Sequence, residues 1–304
     1  MAKIAVELEN ALRRRALEGS SGGLSGRVMA KGHGWTVEDM LCTSGPQDRP
    51  FEEQHSHVSI AIVAAGTFQY RSRCGSGTWE LMTPGSVLLG NAGQPFECGH
   101  QHAAGDRCLS FQYSADYFER LAWDAGAKPY FRILRLPPLR ELSPVVAQAC
   151  AGLSACGGAP VDLHWEELSI KLAALVAQLA DGRSPGESNA PPGTVARVTR
   201  AVREIEQHPD GHLTLGSLAR GAGLSPYHFL RTFERLTGLT PHQYIRRARL
   251  RAAAARLQDT RRTPPAKVLD IALDCGFEDV SNFNRAFRAE FGVSPRVYRK
   301  LPLE

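Results

Sequence analysis

Two groups of residues in this 304-residue chain have types and spacing suited to chemistry. The first lies near the C-terminus. Tyr227, His228, Arg231 and Arg235 share one face of a short periodic segment, and Ser281, Asn282, Arg285 and Arg288 recur on a second segment about 54 residues later. Arginine donates bidentately to guanine and asparagine reads adenine, whereas an arginine one turn further along, as at 235 or 288, suits a phosphate. The second group lies near the N-terminus: His55, His57, Cys98, His100, His102 and Cys108. Imidazole and thiolate are the ligands of zinc and related transition metals. If they lie on strands, His55 and His57 share a face, as do His100 and His102.

The charge is divided along the chain. Residues 194–304 carry 19 Lys and Arg against 11 Asp and Glu, a net of +8, whereas residues 1–193 carry 17 against 20. A basic last third joined to a slightly acidic remainder points to a nucleic-acid-binding module attached to something else. The length and the 43% hydrophobic content support two domains with real cores rather than disorder. No apolar run approaches membrane-spanning length, and acidic residues interrupt the first ten, so a soluble cytoplasmic chain is expected. Seven cysteines without a CxxC pair argue for reduced thiols. Cys42, Cys74, Cys150, Cys156 and Cys275 read as small core residues.

The expected class is α+β. Residues 1–181 form an N-terminal domain, 182–193 a Pro/Gly/Ser linker, and 194–304 an all-α domain. Within 26–136, short apolar or alternating runs at 58–63, 67–71, 79–82, 86–89 and 108–113 predict strands, separated by turns at 75–77, 84–85 and 93–95. Such spacing suits a small barrel or sandwich. Helices are expected at 143–156 and 163–180. In the second, Leu168, Leu172, Leu175 and Leu179 make a stripe that could pair two copies or pack on the chain's own barrel.

The last third holds an internal repeat. Leu218-Ala219 and Gly223-Leu224 match Ile271-Ala272 and Gly276-Phe277 at an offset of 53. Phe229, Arg231, Phe233, Gly238, Thr240 and Pro241 match Phe283, Arg285, Phe287, Gly292, Ser294 and Pro295 at 54. Each unit reads as helix, turn, helix. The first stripe is Leu215, Leu218, Ala219 and Ala222, and the second is Val268, Ile271, Ala272 and Cys275. Gly223 and Gly276 turn the chain, and Ser225 caps the following helix with Pro226 in its first turn. Phe229, Phe233 and Leu236 face the first core, and Phe283, Phe287 and Phe291 the second. An Ala/Arg-rich helix from Pro241 to Gln258 joins the units as a strut. It would hold two readers ~34 Å apart, one turn of DNA. A further helix carries Val195, Val198, Val202 and Ile205.

Residues 195–300, with the run from Ile271 to Pro295 above all, resemble the AraC/XylS family of bacterial transcription regulators. The resemblance implies binding of promoter DNA through both helix-turn-helix motifs and control of transcription, usually activation with RNA polymerase, by a homodimer. By position it assigns base contacts to Tyr227, Leu230 and Arg231, then to Ser281, Asn282 and Arg285, with His228, Arg235, Asn284 and Arg288 beside them. Leu230 departs from the polar residue usual there and suits a thymine methyl instead. The connection 260–267 is slightly longer than usual.

Upstream, His55-Ser-His57, Gly66 and Thr83-Pro-Gly-Ser-Val-Leu-Leu resemble a cupin-type barrel, the effector pocket of such regulators. Metal-binding cupins add a Glu shortly after the HxH pair. None occurs in 60–64, which argues against an enzyme-type iron centre. The expectation is a non-enzymatic regulator whose barrel senses a small molecule or a metal such as zinc, with His55, His57, Cys98, His100 and His102 as metal candidates and Cys108 beside them. The alternatives are a metal-dependent cupin enzyme carrying a DNA-binding tail, and a repair protein using a cation-activated thiol at Arg107-Cys108.

Overall fold

The computed structural model describes residues 2–72, 77–155, 165–183, 190–258 and 265–300. Cys74, Cys156, the turn residues 75–76, the first two residues of the helix expected at 163–180, the linker core 184–189 and residues 260–264 of the connection between the repeats lie outside the described residues.

The chain opens with a helix, α1 (Ala2–Glu18). Nine strands follow: β1 (Leu24–Gly32), β2 (Trp35–Cys42), β3 (Phe51–Gln54), β4 (Val58–Gly66), β5 (Phe68–Ser72), β6 (Glu80–Met82), β7 (Val87–Gly90), β8 (Pro95–Gly99) and β9 (Asp106–Tyr113). Helix α2 (Ala115–Asp124), the short strand β10 (Arg135–Leu136), α3 (Ser143–Ala155) and α4 (Trp165–Ala180) complete the N-terminal half.

The strands form two antiparallel sheets, ordered β1-β2-β9-β4-β7-β10 and β3-β8-β5-β6. Alternation assigns their side chains. One face of the larger sheet meets the smaller sheet, burying Ala61, Val63, Leu88 and Cys108 against Phe68, Tyr70, Met82, Phe96 and Cys98. The other face, with Val37, Ile60, Ile62, Leu109 and Phe111, is covered by helices, including Ile4 and Leu8 of α1 and Phe118 of α2. All five expected strand segments are present as β4 to β7 and β9. Helix α1 is an addition, although Ile4, Leu8 and Ala11 already have helical spacing and are all buried.

The leucine stripe of α4 is used within the chain. Leu168, Leu172, Ala173, Val176 and Ala177 are buried in the same core as α2 and α3, and Leu175 and Leu179 are half-buried against it. Its reading as a face pairing two copies is corrected, because those side chains already have apolar neighbours.

The C-terminal half is helical throughout: α5 (Pro192–Gln207), α6 (Leu215–Gly221), α7 (Pro226–Thr237), α8 (Pro241–Leu257), α9 (Val268–Asp274), α10 (Val280–Phe291) and α11 (Pro295–Lys300). It has two cores. Val198, Val202, Leu218, Phe229 and Phe233 pack with Tyr244, Ile245 and Ala248 from the first half of α8. Ile271, Cys275, Phe283, Phe287 and Phe291 pack with Leu250, Ala253 and Leu257 from its second half. Each fully buried ring contributes about 1.5–3 kcal/mol of transfer free energy. Leu215 departs from the expected stripe and is exposed. It sits in the first turn after the Thr214 cap of a seven-residue helix whose buried face is Leu218 and Ala219.

The halves are docked. Leu81 of β6 joins the first helical core, and Ala147 of α3 packs on the second. Gly238 ends α7 at φ +78°, where a Cβ would come 2.5 Å from the Pro137 side chain. Gly292 ends α10 at φ +77° with open space around it. Both need the left-handed conformation that glycine adopts without strain. Gly292→Ala is expected to cost about 1 kcal/mol from backbone strain alone, and Gly238→Ala distinctly more. Denaturant unfolding of both variants checks this. Equal costs would show that the Pro137 contact yields freely.

Candidate nucleic-acid interface

The second helix of each repeat presents the residues singled out by their chemistry. Helix α7 starts at Ser225, whose Oγ accepts the backbone N–H of His228. Pro226 occupies the first turn, where its missing N–H costs nothing. Phe229 and Phe233 turn into the core, so Tyr227, His228, Arg231 and Arg235 are left exposed, with Tyr227 at 65%. Leu230 is half-buried. The His228 ring also meets Ser225 Oγ through Nδ1 at 3.0 Å, which ties it to its own cap. Helix α10 repeats the design with a different cap. Asp279 Oδ1 accepts the Asn282 N–H at 2.6 Å. Phe283, Phe287 and Phe291 are buried, and Ser281, Asn282, Asn284, Arg285 and Arg288 are exposed. The turns expected at Gly223 and Gly276 have φ of +62° and +83°.

Ion pairing separates the arginines of this half into two classes. Arg251 Nη2 lies 2.5 Å from Glu206 Oε1, and Arg256 pairs with Asp274 at 3.2 Å. Arg249 donates to the carbonyls of Pro209 and Gly211, and Arg299 to that of Ala266. Arg247 donates to the Pro138 carbonyl and lies 3.2 Å from Glu290. These side chains hold helices together. Among the described residues no carboxylate pairs with Arg231, Arg235, Arg285 or Arg288. They are left charged and exposed on α7 and α10, an arrangement chemically suited to phosphates and base edges. Composition shows the excess of arginine, but only the packing separates these four from the arginines that hold helices together.

The N-terminal candidates do not converge on one point. His55 Nε2 meets Tyr70 Oη at 2.8 Å, and its ring stacks on Phe96 with centroids 4.2 Å apart. Burial pushes its pKa down to about 4. His57 is exposed and bonds the neighbouring Ser56 hydroxyl. His102 lies in the turn after β8, half-buried, its Nε2 without a hydrogen-bond partner. The HxH pair is therefore split between a half-buried ring and an exposed one, because both residues lie in the connection between β3 and β4 instead of alternating on a strand. His100 is different. It is buried, and its Nε2 is 2.7 Å from Asp106 Oδ1. Cys98 and Cys108 are buried nearby, and burial pushes both thiols well above their ordinary range. Cys108 is thus the reverse of a cation-activated thiol. Its chain neighbour Arg107 points to the opposite face of the sheet, to Asp39 at 2.8 Å and to Glu7 of α1. Cys42, expected as a core filler, belongs with His100 and Asp106: their donor atoms lie within 4.8 Å of one another. Asp106 opens β9, and an aspartate at a strand end reads in sequence as a turn residue, so neither type nor spacing marks it.

Residues 218–301 match a family model described as a helix-turn-helix domain. The chain is 37% identical over 102 residues to the regulatory protein SoxS of Salmonella typhimurium, covering 34% of this chain and 92% of that one. It is 30% identical over 104 residues to the HTH-type transcriptional regulator MtrA of Neisseria gonorrhoeae, covering 34% of this chain and 33% of that one. The chain thus spans about a third of the length of the first curated relatives it matches. Among solved structures, a transcriptional regulator from Chromobacterium violaceum described as having an AraC-type DNA-binding domain is 28% identical, with a TM-score of 0.33, covering 37% of this chain and 99% of that one. Among the described residues no helix is long and apolar enough to cross a membrane.

The depressed pKa of His55 has a consequence for stability. A histidine that stays neutral in the fold but protonates near 6.5 when unfolded contributes stability above that pH, lost progressively as pH falls from 6.5 towards 4. The melting temperature should fall across this window, and His55→Gln should flatten the decline. An unchanged slope in the variant would assign the acid sensitivity to other groups.

Proposed function

The chain belongs to the AraC family of transcription regulators through its C-terminal third, and from that premise we propose that it binds promoter DNA sequence-specifically and activates transcription in the cytoplasm. One observation carries the reading. Two capped helices, α7 and α10, each turn aromatic residues into a separate core and leave unpaired arginines outside, and one helix, α8, contributes to both cores. Two such readers on one rigid strut suit successive major-groove segments on one face of a duplex. Arg285, Asn282, Ser281, Arg231, Tyr227 and Leu230 are the base-reading set. Arg235, Arg288, His228 and Asn284 face the backbone. RNA polymerase is the partner of an activator bound in this way, and a homodimer doubles the recognised length.

The N-terminal half, with its two facing sheets, is the cupin-like sensor. Its influence on DNA binding has a route in the docking of the halves. Glu290 of α10 is buried, accepts a hydrogen bond from Ser143 Oγ of α3 at 2.5 Å, and lies 3.2 Å from Arg247 of α8. Arg135 of β10 bridges Glu80 and the carbonyl that ends α7. An effector that shifted the sheets or α3 would move the seats of both reader helices. It would act by favouring one of two docked arrangements.

The test uses a duplex selected from a random pool by the full chain. Arg285→Ala should cost about 1–3 kcal/mol on the selected sequence and relax one base preference. Arg288→Ala should weaken all sequences similarly and lower the salt slope by about one. Binding by Arg285→Ala equal to the parent would remove α10 from the major groove. Failure of the parent to enrich any sequence would remove the function.

A further inference from the structure

One corner between the two sheets collects donor atoms for which DNA binding has no use. Cys42 ends β2 and Asp106 begins β9, and the two are directly paired across the ladder, so their side chains share the inter-sheet face. Cys108, two residues on, shares that face with Asp106. Cys98 lies on the inner side of β8, and His100 follows two residues later. Asp106 joins two of these groups directly. Its Oδ1 is 2.7 Å from His100 Nε2, and its Oδ2 is 3.3 Å from Cys108 Sγ. Donor atoms of Cys42, His100 and Asp106 lie within 4.8 Å of one another, and all three residues are buried. The Phe68 ring stacks over His100, with centroids 6.0 Å apart.

We propose that Cys42, His100, Asp106 and Cys108 form a binding site for a thiophilic divalent cation of the zinc class. Two thiolates, one imidazole and one carboxylate are a four-ligand tetrahedral donor set, with bond lengths of about 2.0–2.3 Å. Three of the donors already lie within 4.8 Å of one another, and Cys108, whose Sγ is 3.3 Å from Asp106 Oδ2, completes the set by rotation of its side chain towards them. A single carboxylate cannot supply the six or more oxygens that calcium or magnesium takes, so the site selects against hard cations. Binding displaces the two thiol protons and any proton held between His100 and Asp106, and no bond of the chain is made or broken. Arg107, the fixed cation next to these residues in sequence, faces the other side of the sheet. The metal therefore supplies the positive charge that three anionic ligands require.

The site is also placed to be felt elsewhere. The loop from His100 to Asp106 carries two ligands, and Gly105 within it is overlaid by Leu8 and Leu12 of α1, whose atoms a Cβ would meet at 3.0 Å. Filling the site would tie β2, β9 and this loop together beneath α1. Its role as the sensed signal rests on the regulatory reading above, whereas the site itself does not.

The test is a titration of the full-length chain, reduced and stripped with chelator, with Co²⁺ as the probe and no DNA present. Its failure is thereby separable from failure of the DNA-binding reading. The expected result is saturation at one equivalent, with near-ultraviolet thiolate charge-transfer absorption and the intense visible bands of tetrahedral cobalt, bleached when Zn²⁺ is added. Cys42→Ser, Cys108→Ser and His100→Gln should each weaken binding about tenfold or more. His57→Gln should leave it unchanged. Absence of charge-transfer absorption in excess Co²⁺, or identical titrations for Cys42→Ser and His57→Gln, would overturn the proposal. So would conversion of the metal-free thiols to a Cys42–Cys108 disulfide that Zn²⁺ fails to prevent. Since a substitution in this corner can unfold the barrel, the parent chain gives a second readout. Zn²⁺ should slow alkylation of Cys42 and Cys108 but not of Cys275, and equal rates with and without Zn²⁺ would count against the site.

Discussion

Helix α8 has to satisfy three environments at once, and the rest of the structure follows from how it does so. Its first half closes the core beneath α7 with Tyr244, Ile245 and Ala248, and its second half closes the core beneath α10 with Leu250, Ala253 and Leu257. Its remaining face meets the N-terminal half through arginines. A helix that is apolar on two sides and charged on the third leaves little freedom. Arg251 is half-buried and needs Glu206 of α5, and Arg247 needs Glu290 of α10 and the Pro138 carbonyl. A buried charge without a partner costs several kcal/mol, so these pairs fix the rotation of α8 about its axis. Once that rotation is set, α7 and α10 have set orientations.

The same constraint joins the halves of the chain. The two helical cores are not sealed by their own residues: Leu81 completes one, and Ala147 packs on the other. Gly238 allows Pro137 to approach where any side chain would collide. Glu290 shows how close the coupling is. It lies on the helix whose opposite face carries Arg285 and Arg288, yet its carboxylate accepts a hydrogen bond from Ser143 in the other half. A displacement of α3 would take one partner from this buried acid and leave Arg247 alone to hold it.

The N-terminal half follows a different logic. At β4 its larger sheet is covered on both faces, which is why residues 60–65 read as an apolar run instead of an alternation. One face takes the helices and the other takes the smaller sheet. Buried polar groups inside such a sandwich are mostly hydrogen-bonded, and His100 with Asp106 is such a pair. His55 solves the same problem with a tyrosine hydroxyl and an aromatic stack, and it stays neutral in doing so.

Much of the helical half was legible in the sequence by itself. The repeat, the glycine turns, the Ser225 cap, the phenylalanines of both cores and the polar faces of α7 and α10 are local patterns, set by helical period and capping chemistry over spans of a dozen residues. The strands of the N-terminal half were legible as elements for the same reason, although α1 was not noticed in its own spacing of Ile4, Leu8 and Ala11. Only the tertiary structure decided which arginines are structural and which are open, because that depends on carboxylates and carbonyls as much as a hundred positions away. It also decided that the α4 leucines serve the chain's own core, that His55 and His57 part company, and that Cys42 and Asp106 meet across a ladder. His100 and Cys108 are marked by residue type, but their grouping with Asp106 and with the distant segment that carries Cys42 has no signature along the chain. Its geometry comes into being when strand register brings those segments side by side.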